Sequence, residues 1–455
     1  MQKENPLGVV PVGTMLRRLA VPAVVANVVN ALYNIVDQIF IGQGVGYLGN
    51  AATNIAFPLT TICLAIGLML GVGAASKFNL ELGRGHAETA RKAAGTTATV
   101  LLVAGVALCI LVRLFLQPLM LAFGATDAIL DYAMIYTGIT SFGIPFFLFS
   151  TGTNPLVRAD GASTFSMMAI IAGAVLNTIL DPIFIFVFHW GIAGAAWATV
   201  LSQVISALML MAYFKRFRSV QMERTDFKPD WSILQDIASL GMASFIFQAS
   251  NLLVQIVTNN SLRVYGAASV YGADIPIAIA GIVAKVNVIL VSVVLGIVQG
   301  AQPLASFNYG ARQYDRVRET IRLSLYVVLT IGLVCWTSFE LMPRPILAIF
   351  GDGSESYFEF GVRYMRIFFA LAFVNGIQIF SSTFFPAIGK AKIGASISLL
   401  KQILLIIPAL LILPIFLGVD GLAWALPIAD GIAVVVAGYL LWRQYQRFEK
   451  EDLAV

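Results

Sequence analysis

Ionised side chains are scarce in this chain of 455 residues. Asp, Glu, Lys and Arg together make up 12% of it, and apolar residues make up 59%. Soluble globular domains carry roughly 25% charged residues. The chain therefore has too little polar surface to cover a water-soluble fold of this length. This composition excludes a soluble protein and predicts one that lies in a lipid bilayer.

Cysteine and histidine are also rare, with three and two copies. Cys63, Cys109 and Cys335 lie far apart and form no CxxC pair, so the sequence predicts neither a disulfide framework nor a zinc site. The apolar segments lack Ser/Lys, GxGD and HExxH sets, and no GxxxxGK[ST] loop indicates the use of ATP. We therefore expect a protein that is not an enzyme, has no cofactor and binds no metal other than Na⁺.

Long apolar runs, separated by short charged loops, recur from one end of the chain to the other. Each run approaches the about 20 residues that a helix needs to cross a bilayer. We expect twelve membrane-spanning helices, six in each half, and number them spans 1 to 12. They are predicted near residues 15–41, 51–76, 93–116, 129–150, 164–187, 191–214, 234–262, 275–305, 320–341, 360–382, 393–416 and 420–442.

The two halves of the chain are related by a repeat at an offset of 227 positions. Gly191-Ile-Ala-Gly-Ala-Ala-Trp-Ala198 recurs at that offset as Gly418-Val-Asp-Gly-Leu-Ala-Trp-Ala425, and Pro118…Phe123-Gly124 recurs as Pro345…Phe350-Gly351. An even number of spans in each half places both repeats the same way up, related by a pseudo-twofold axis along the membrane normal. Internal repeats in membrane proteins are typical of transporters whose site lies where the halves meet.

The predicted fold is therefore an all-α polytopic membrane protein with two six-helix lobes. We expect an N-lobe over residues 1–214, a cytoplasmic linker over 215–232 and a C-lobe over 233–455. Most of the 29 lysines and arginines fall near the termini and in the loops on the same side. The positive-inside rule then predicts that both termini are cytoplasmic. The same bias explains the net charge of +5 without a nucleic-acid partner.

Two pairs of polar residues interrupt the apolar spans of the first half. Asn34 and Asp37 lie three residues apart in span 1, and Asn177 and Asp181 lie four apart in span 5. Each pair therefore shares one helix face. A charged side chain in the hydrocarbon costs at least about 2.5–3.5 kcal/mol, so each acid requires an explanation.

The two acids are expected to lie at the same depth in the membrane as a hydroxyl group of span 6. At a rise of about 1.5 Å per residue, Asp37, Asp181 and Thr199 of span 6 all reach the outer part of the bilayer at similar heights. Two carboxylates with amide and hydroxyl oxygens there can bind Na⁺ or share a proton. The alternative is that the acids lie at the outer interface or cap helix ends. Tyr33 is either part of this group or an interfacial anchor.

The second half of the chain has no such acid pair. Span 7 carries the amides Gln248, Asn251 and Gln255, which we regard with Lys285 of span 8 as candidates for lining a substrate cleft. Lys285 either faces that cleft as a cation that responds to substrate or binds backbone carbonyls.

The second half also has a lysine in span 11 and an acid in span 12. We expect Lys401 and Asp430 to form a structural pair between these two spans.

Several of these segments together resemble the multidrug and toxic compound extrusion (MATE) family. The segments are Leu32-Tyr-Asn-Ile-Val-Asp-Gln-Ile-Phe-Ile-Gly42, Phe57-Pro58, Asn154-Pro-Leu-Val-Arg-Ala-Asp-Gly161, Asn177…Asp181-Pro182 and the paired GxxGxAWA motifs. The stretch Pro386-Ala-Ile-Gly-Lys-Ala-Lys392, with Ile407-Pro408 and Pro427-Ile-Ala-Asp430, is similar to the MepA-type bacterial branch.

The resemblance implies a two-lobed antiporter that alternates between outward-open and inward-open states. It implies export of organic cations and other amphipathic drugs in exchange for H⁺ or Na⁺ as the coupling ion. The family's N-lobe cation site maps onto Asp37, Asn177, Asp181 and Thr199. The resemblance also implies a bacterial plasma (inner) membrane. We expect a monomer whose partners are these small molecules and the lipid bilayer.

Two other classes of membrane protein remain open as alternatives. A lipid-linked saccharide or lipid flippase of related architecture is expected to line its cleft with several cations, whereas Lys285 is the only evident one here. A passive channel would leave the buried acids without a coupling role.

Overall fold

The computed structural model describes residues 5–271, 274–349 and 355–452. Over these residues eleven helices are long and apolar enough to cross a membrane, and a pair bent by 45° supplies a twelfth. The predicted all-α architecture is confirmed in this part of the chain, where no strand occurs. Spans 1 to 12 are Val12–Gly44, Leu48–Gly83, Ala87–Leu114, Asp127–Ala159, Ser163–Val187, Gly191–Arg216, Trp231–Ala267, Ile275–Gly310, Tyr314–Leu341, Glu355–Phe368 with Ala372–Ala387, Ala391–Leu417 and Asp420–Lys450.

Short helices connect or precede some of these spans. They are Pro6–Val9, Leu116–Ala122, Pro343–Ala348 and a 3₁₀ turn at Arg224–Phe227. Spans 5 and 11 each contain a π-helical segment, at Ile183–Val187 and Leu400–Ile406.

The repeated glycine motif has the same structural role at the start of spans 6 and 12. Gly191 and Gly418 have φ values of 56° and 59°, which lie in the left-handed region that side chains disfavour. A Cβ on Gly194 would lie 2.9 Å from the backbone of span 5, and one on Gly421 would lie 2.5 Å from that of span 11. Glycine is therefore needed at all four positions, both to turn the chain and to let consecutive spans pack closely.

The start of the chain packs against the C-lobe. Leu7, Met15 and Leu19 are buried in the same apolar cluster as spans 8 to 12. The Arg316 guanidinium donates hydrogen bonds to the carbonyl oxygens of Leu7 at 3.0 Å and Val10 at 2.5 Å. Span 5 packs along span 1 at both ends, since the Ser163 hydroxyl donates to the Leu19 carbonyl at 2.7 Å and a Cβ on Gly44 would lie 2.1 Å from the Ile185 side chain. Span 1 thus contacts both lobes.

The connection between the lobes packs closely against span 3. Asp226 accepts a hydrogen bond from the Glu223 amide at 2.7 Å, and Arg91 forms an ion pair with Glu223 at 2.5 Å. Thr99 of span 3 donates to the carbonyl of Phe227 at 2.8 Å. We refer to the membrane face that carries this connection as the linker side, and to the opposite face as the far side.

The lobes touch on the linker side. Gln302 of span 8 is buried and donates to the Ser76 hydroxyl at 3.0 Å and to the Val72 carbonyl at 3.2 Å. Lys77 of span 2 forms an ion pair with Asp236 of span 7 at 2.8 Å. These contacts close the linker side.

Candidate functional site

The acids of spans 1 and 5 meet inside the N-lobe. The side chains of Asp37 and Asp181 are in direct contact. Asn177, one turn before Asp181, donates from Nδ2 to Asp181 Oδ1 at 3.5 Å, the long limit for a hydrogen bond. Asn177 and Asp181 are buried, and Asp37 is half-buried. The structure therefore brings together Asp37, Asn177 and Asp181, three of the four residues expected at the cation site.

Three oxygen atoms of this group need a partner. Asp37 Oδ1, Asn177 Oδ1 and Asp181 Oδ2 are buried, and none of them accepts a hydrogen bond from the described residues. Ionised carboxylates offer only acceptors, so two in contact repel each other unless a proton or a cation lies between them. Carboxylate and amide oxygens are also the ligands that hard cations prefer. The group has the chemistry of a site for H⁺ or Na⁺.

The negative charge of this group comes from two carboxylates, Asp37 and Asp181. Within the described ranges, His, Cys, Asp and Glu side chains form no cluster of three or more that would suit a metal ion. A cation bound here would rely on two acids and on neutral oxygens.

Neutral hydroxyl groups surround the acids. Thr199 of span 6 contacts the side chain of Tyr136 of span 4, and Tyr136 lies close enough to interact electrostatically with both acids. Tyr33 of span 1 is also close enough to interact with both acids. Asn34 is exposed, and its Nδ2 donates to the backbone carbonyl of Asn30 at 2.6 Å, so it is not part of the buried group.

Tyr136 was not among the residues predicted from the sequence. Tyrosines in membrane proteins are enriched at the interface, where they anchor a helix. Tyr136 instead lies more than two turns inside span 4, a depth at which its hydroxyl needs a polar neighbour. That depth was the only signal available, and the identity of the neighbours depends on how spans 4 and 6 pack.

The backbone of span 5 changes immediately after Asp181. Pro182 ends the α-helix, and Ile183–Val187 continue as a π-helix. Proline has no N–H and therefore cannot bond the carbonyl four residues earlier, which belongs to Thr178. Single π-helical turns often occur at functional sites. The acid therefore lies at the least regular turn of its helix.

The C-lobe holds a separate buried polar group. Lys401 Nζ lies 2.8 Å from Asp430 Oδ1, and it donates to Asn375 Oδ1 at 2.8 Å and Gln378 Oε1 at 3.2 Å. An ammonium group has three donors, and here three acceptors surround it. Since 5% of the Lys401 side chain and 4% of the Asp430 side chain are exposed, solvent does not reach the pair in this conformation.

The amides of span 7 lie in a more open environment. Asn251 donates to Gln248 Oε1 at 3.4 Å, and both side chains are half-buried. Gln255, two turns beyond Gln248, is exposed. Lys285 of span 8 is exposed as well, and it forms no hydrogen bond or ion pair with the described residues. The structure therefore does not place these candidates in contact with one another beyond the Gln248–Asn251 pair.

Comparison with known proteins adds a family and a fold. The sequence profile of the MatE family matches residues 22–183 and 244–411. The chain is 24% identical over 432 residues to the multidrug export protein MepA of Staphylococcus haemolyticus, a match that covers 94% of this chain and 92% of the relative. It is 25% identical over 437 residues to the MepA of Staphylococcus aureus strain NCTC 8325, covering 95% and 94%.

The fold also matches a solved structure over almost its whole length. That structure is described as the outward-facing conformation of a multidrug resistance MATE family transporter of the MOP superfamily. The TM-score is 0.90 at 22% identity, with 98% of each chain covered.

Proposed function

The chain belongs to the MatE family, and from that premise we propose that it is a secondary active multidrug efflux antiporter. It exports organic cations and amphipathic toxins in exchange for H⁺ or Na⁺. The names of the two staphylococcal relatives, which match along nearly their whole length, support this substrate class. The protein lies in a bacterial plasma membrane with both termini in the cytoplasm, and it works as a monomer, without a cofactor and without catalysing a reaction.

The contact between Asp37 and Asp181 carries this proposal. Two acids that share a buried group with three unpaired oxygens need a cation or a proton in at least one step of the cycle. A site that must be filled in one state and emptied in another is what an exchanger requires. Asn177 and Thr199 supply neutral oxygens, and Tyr136 supplies a hydroxyl beside Thr199.

The exchange follows from competition between drug and ion. In the state that is open on the far side, the coupling ion enters the Asp37–Asp181 group and neutralises it. The cleft then loses affinity for a cationic drug, which leaves to the outside. The lobes rock, the linker side opens, the ion leaves inward and a new drug enters. A ligand shifts such an equilibrium only through its different affinity for the two states, and the charge of the acids provides that difference.

Dye transport in proteoliposomes tests this function. Purified protein is reconstituted, and efflux of a cationic dye is measured under an imposed Na⁺ gradient and then under an imposed proton gradient. We expect one gradient to drive efflux and Asp37→Asn to abolish it. Asp131→Asn, which changes an exposed acid of span 4, is the matched control and should transport normally. Unimpaired efflux by the Asp37→Asn protein contradicts the proposal, and dye movement that needs no gradient favours a channel or a flippase.

A further inference from the structure

Lys285 is a cation within span 8, ten residues after Ile275, and it has no bound counter-charge among the described residues. Its side chain is exposed, and among the described residues nothing pairs with it. A lysine that faces lipid in mid-membrane is strongly disfavoured, and such residues generally face a water-filled cavity. The position of Lys285 on its helix decides between these two environments.

The face of span 8 that carries Lys285 is the one that meets span 1. The Ser292 backbone carbonyl accepts a hydrogen bond from Asn27 of span 1 at 3.4 Å, and a Cβ on Gly296 would lie 2.5 Å from Val24 Cα. Lys285 precedes Gly296 by eleven residues, which is about three helical turns, so the two positions share a face of the helix. A Cβ on Gly281, one turn further, would meet no atom within 4 Å. The helices have separated at that level, and Lys285 points into the gap between the lobes.

The opposite wall of this gap is formed by the polar part of span 1. Spans 1 and 8 run in opposite directions, and the residue seven positions beyond Asn27 on span 1 is Asn34, which is exposed. Asn34 and Lys285 therefore lie at the same level on facing walls. Asp37 follows within one turn and contacts Asp181. The cleft is thus polarised, with acids behind its N-lobe wall and an ammonium group on its C-lobe wall.

We propose that Lys285 binds the anionic group of zwitterionic amphipathic substrates, whose cationic end faces the N-lobe acids. This inference rests on the proposed export function and specifies its substrate class. An unpaired ammonium group repels a purely cationic drug at this wall and attracts a carboxylate. The N-lobe acids instead attract the cation and repel the carboxylate. A molecule with both charges separated along an apolar body satisfies both walls, and exposed Asn34 can hydrogen-bond its polar atoms.

A matched pair of dyes tests this substrate class. Rhodamine 6G is a cationic ethyl ester, and rhodamine 19 is its free acid, so the two differ by one carboxylate. Binding to the purified protein is followed by fluorescence polarisation, and efflux is followed in proteoliposomes. We expect Lys285→Gln to weaken binding of the free acid by about tenfold, the usual effect of losing a charged hydrogen bond, and to leave the ester unchanged or bound more tightly. Lys285→Arg should retain the preference for the free acid.

The controls separate a specific effect from a structural one. Lys92→Gln, which changes a linker-side lysine paired with Glu88 at 2.7 Å, should leave the binding of both dyes unchanged. Equal weakening of both dyes by Lys285→Gln, or no weakening of either, overturns the inference. If the ester is exported while binding of the free acid is independent of Lys285, this inference fails and the export function stands. If the free acid binds through Lys285 but no gradient moves either dye, the export function fails and the site stands.

Discussion

Gly73 of span 2 and Gly241 of span 7 pack backbone to backbone where the two lobes touch. A Cβ on Gly73 would lie 1.9 Å from the Ile237 carbonyl oxygen, and one on Gly241 would lie 1.7 Å from the Met69 carbonyl oxygen. Small residues let helices in a membrane approach this closely, and the close approach provides the van der Waals contact that holds them. This glycine contact reinforces the Gln302–Ser76 hydrogen bond in closing the linker side.

Gly241→Ala should force the lobes apart on the linker side. The added methyl group meets backbone, which cannot move aside as a side chain can, and such overpacking typically costs about 1–3 kcal/mol. We expect the population open on the linker side to rise by about tenfold and efflux to fall. Spin labels on the linker-side ends of spans 2 and 7 report the distance distribution. Gly438→Ala is the control, because the nearest atom to its Cβ is 4.0 Å away. Unchanged distances in the Gly241→Ala protein would refute the gating role.

Tyr136→Phe should weaken coupling without unfolding the protein. The substitution removes one hydroxyl from the group around Asp37 and Asp181 and leaves the ring in place. Loss of a single buried hydrogen bond typically costs about 1–3 kcal/mol, so we expect gradient-driven efflux to fall by about tenfold. Tyr132→Phe, one turn earlier on the same helix, is the matched control and should retain efflux. Equal efflux by both variants would exclude Tyr136 from the site.

The Lys401–Asp430 pair predicts a stability effect that depends on which partner is removed. Lys401→Met leaves the Asp430 carboxylate buried without its cation, and breaking a buried pair in this way costs about 3–5 kcal/mol. Replacing both partners, as in Lys401→Met with Asp430→Leu, should recover most of that loss because no charge remains buried. Thermal unfolding in detergent measures both variants. If the double variant is stable but transports no dye, the pair has a role in transport beyond stability.

Much of the helical framework could be predicted from local sequence. Apolar runs of sufficient length must cross the bilayer as helices because the backbone has no other hydrogen-bond partners there, and the predicted spans match the observed ones within a few residues at most ends. The repeat also has a structural counterpart, since Gly191 and Gly418 adopt the same backbone conformation. The predicted position of Phe350 and Gly351 in that repeat lies outside the described residues.

The candidate site was only partly predictable. Local sequence was enough to identify Asp37, Asn177 and Asp181. Placing a polar residue in an apolar helix costs free energy, and the spacing within each pair puts its two residues on one helix face. Tyr136 could not be identified in this way, since a tyrosine in a span has no periodic signal of its own. The predicted set of partners for Lys401 was also incomplete. Asn375 and Gln378 belong to span 10, and they contact Lys401 only because spans 10 and 11 pack together.

Residue composition and spacing alone establish a membrane protein of two related halves whose ionisable groups differ. Both conclusions follow from the local cost of placing charge and backbone in hydrocarbon. Which of these groups meet depends on the tertiary structure. It placed Asp37 against Asp181, enclosed Lys401 with three acceptors and left Lys285 facing a gap. The physical reason is that contacts between helices depend on rotation and crossing of whole spans, which residue spacing along one helix does not specify.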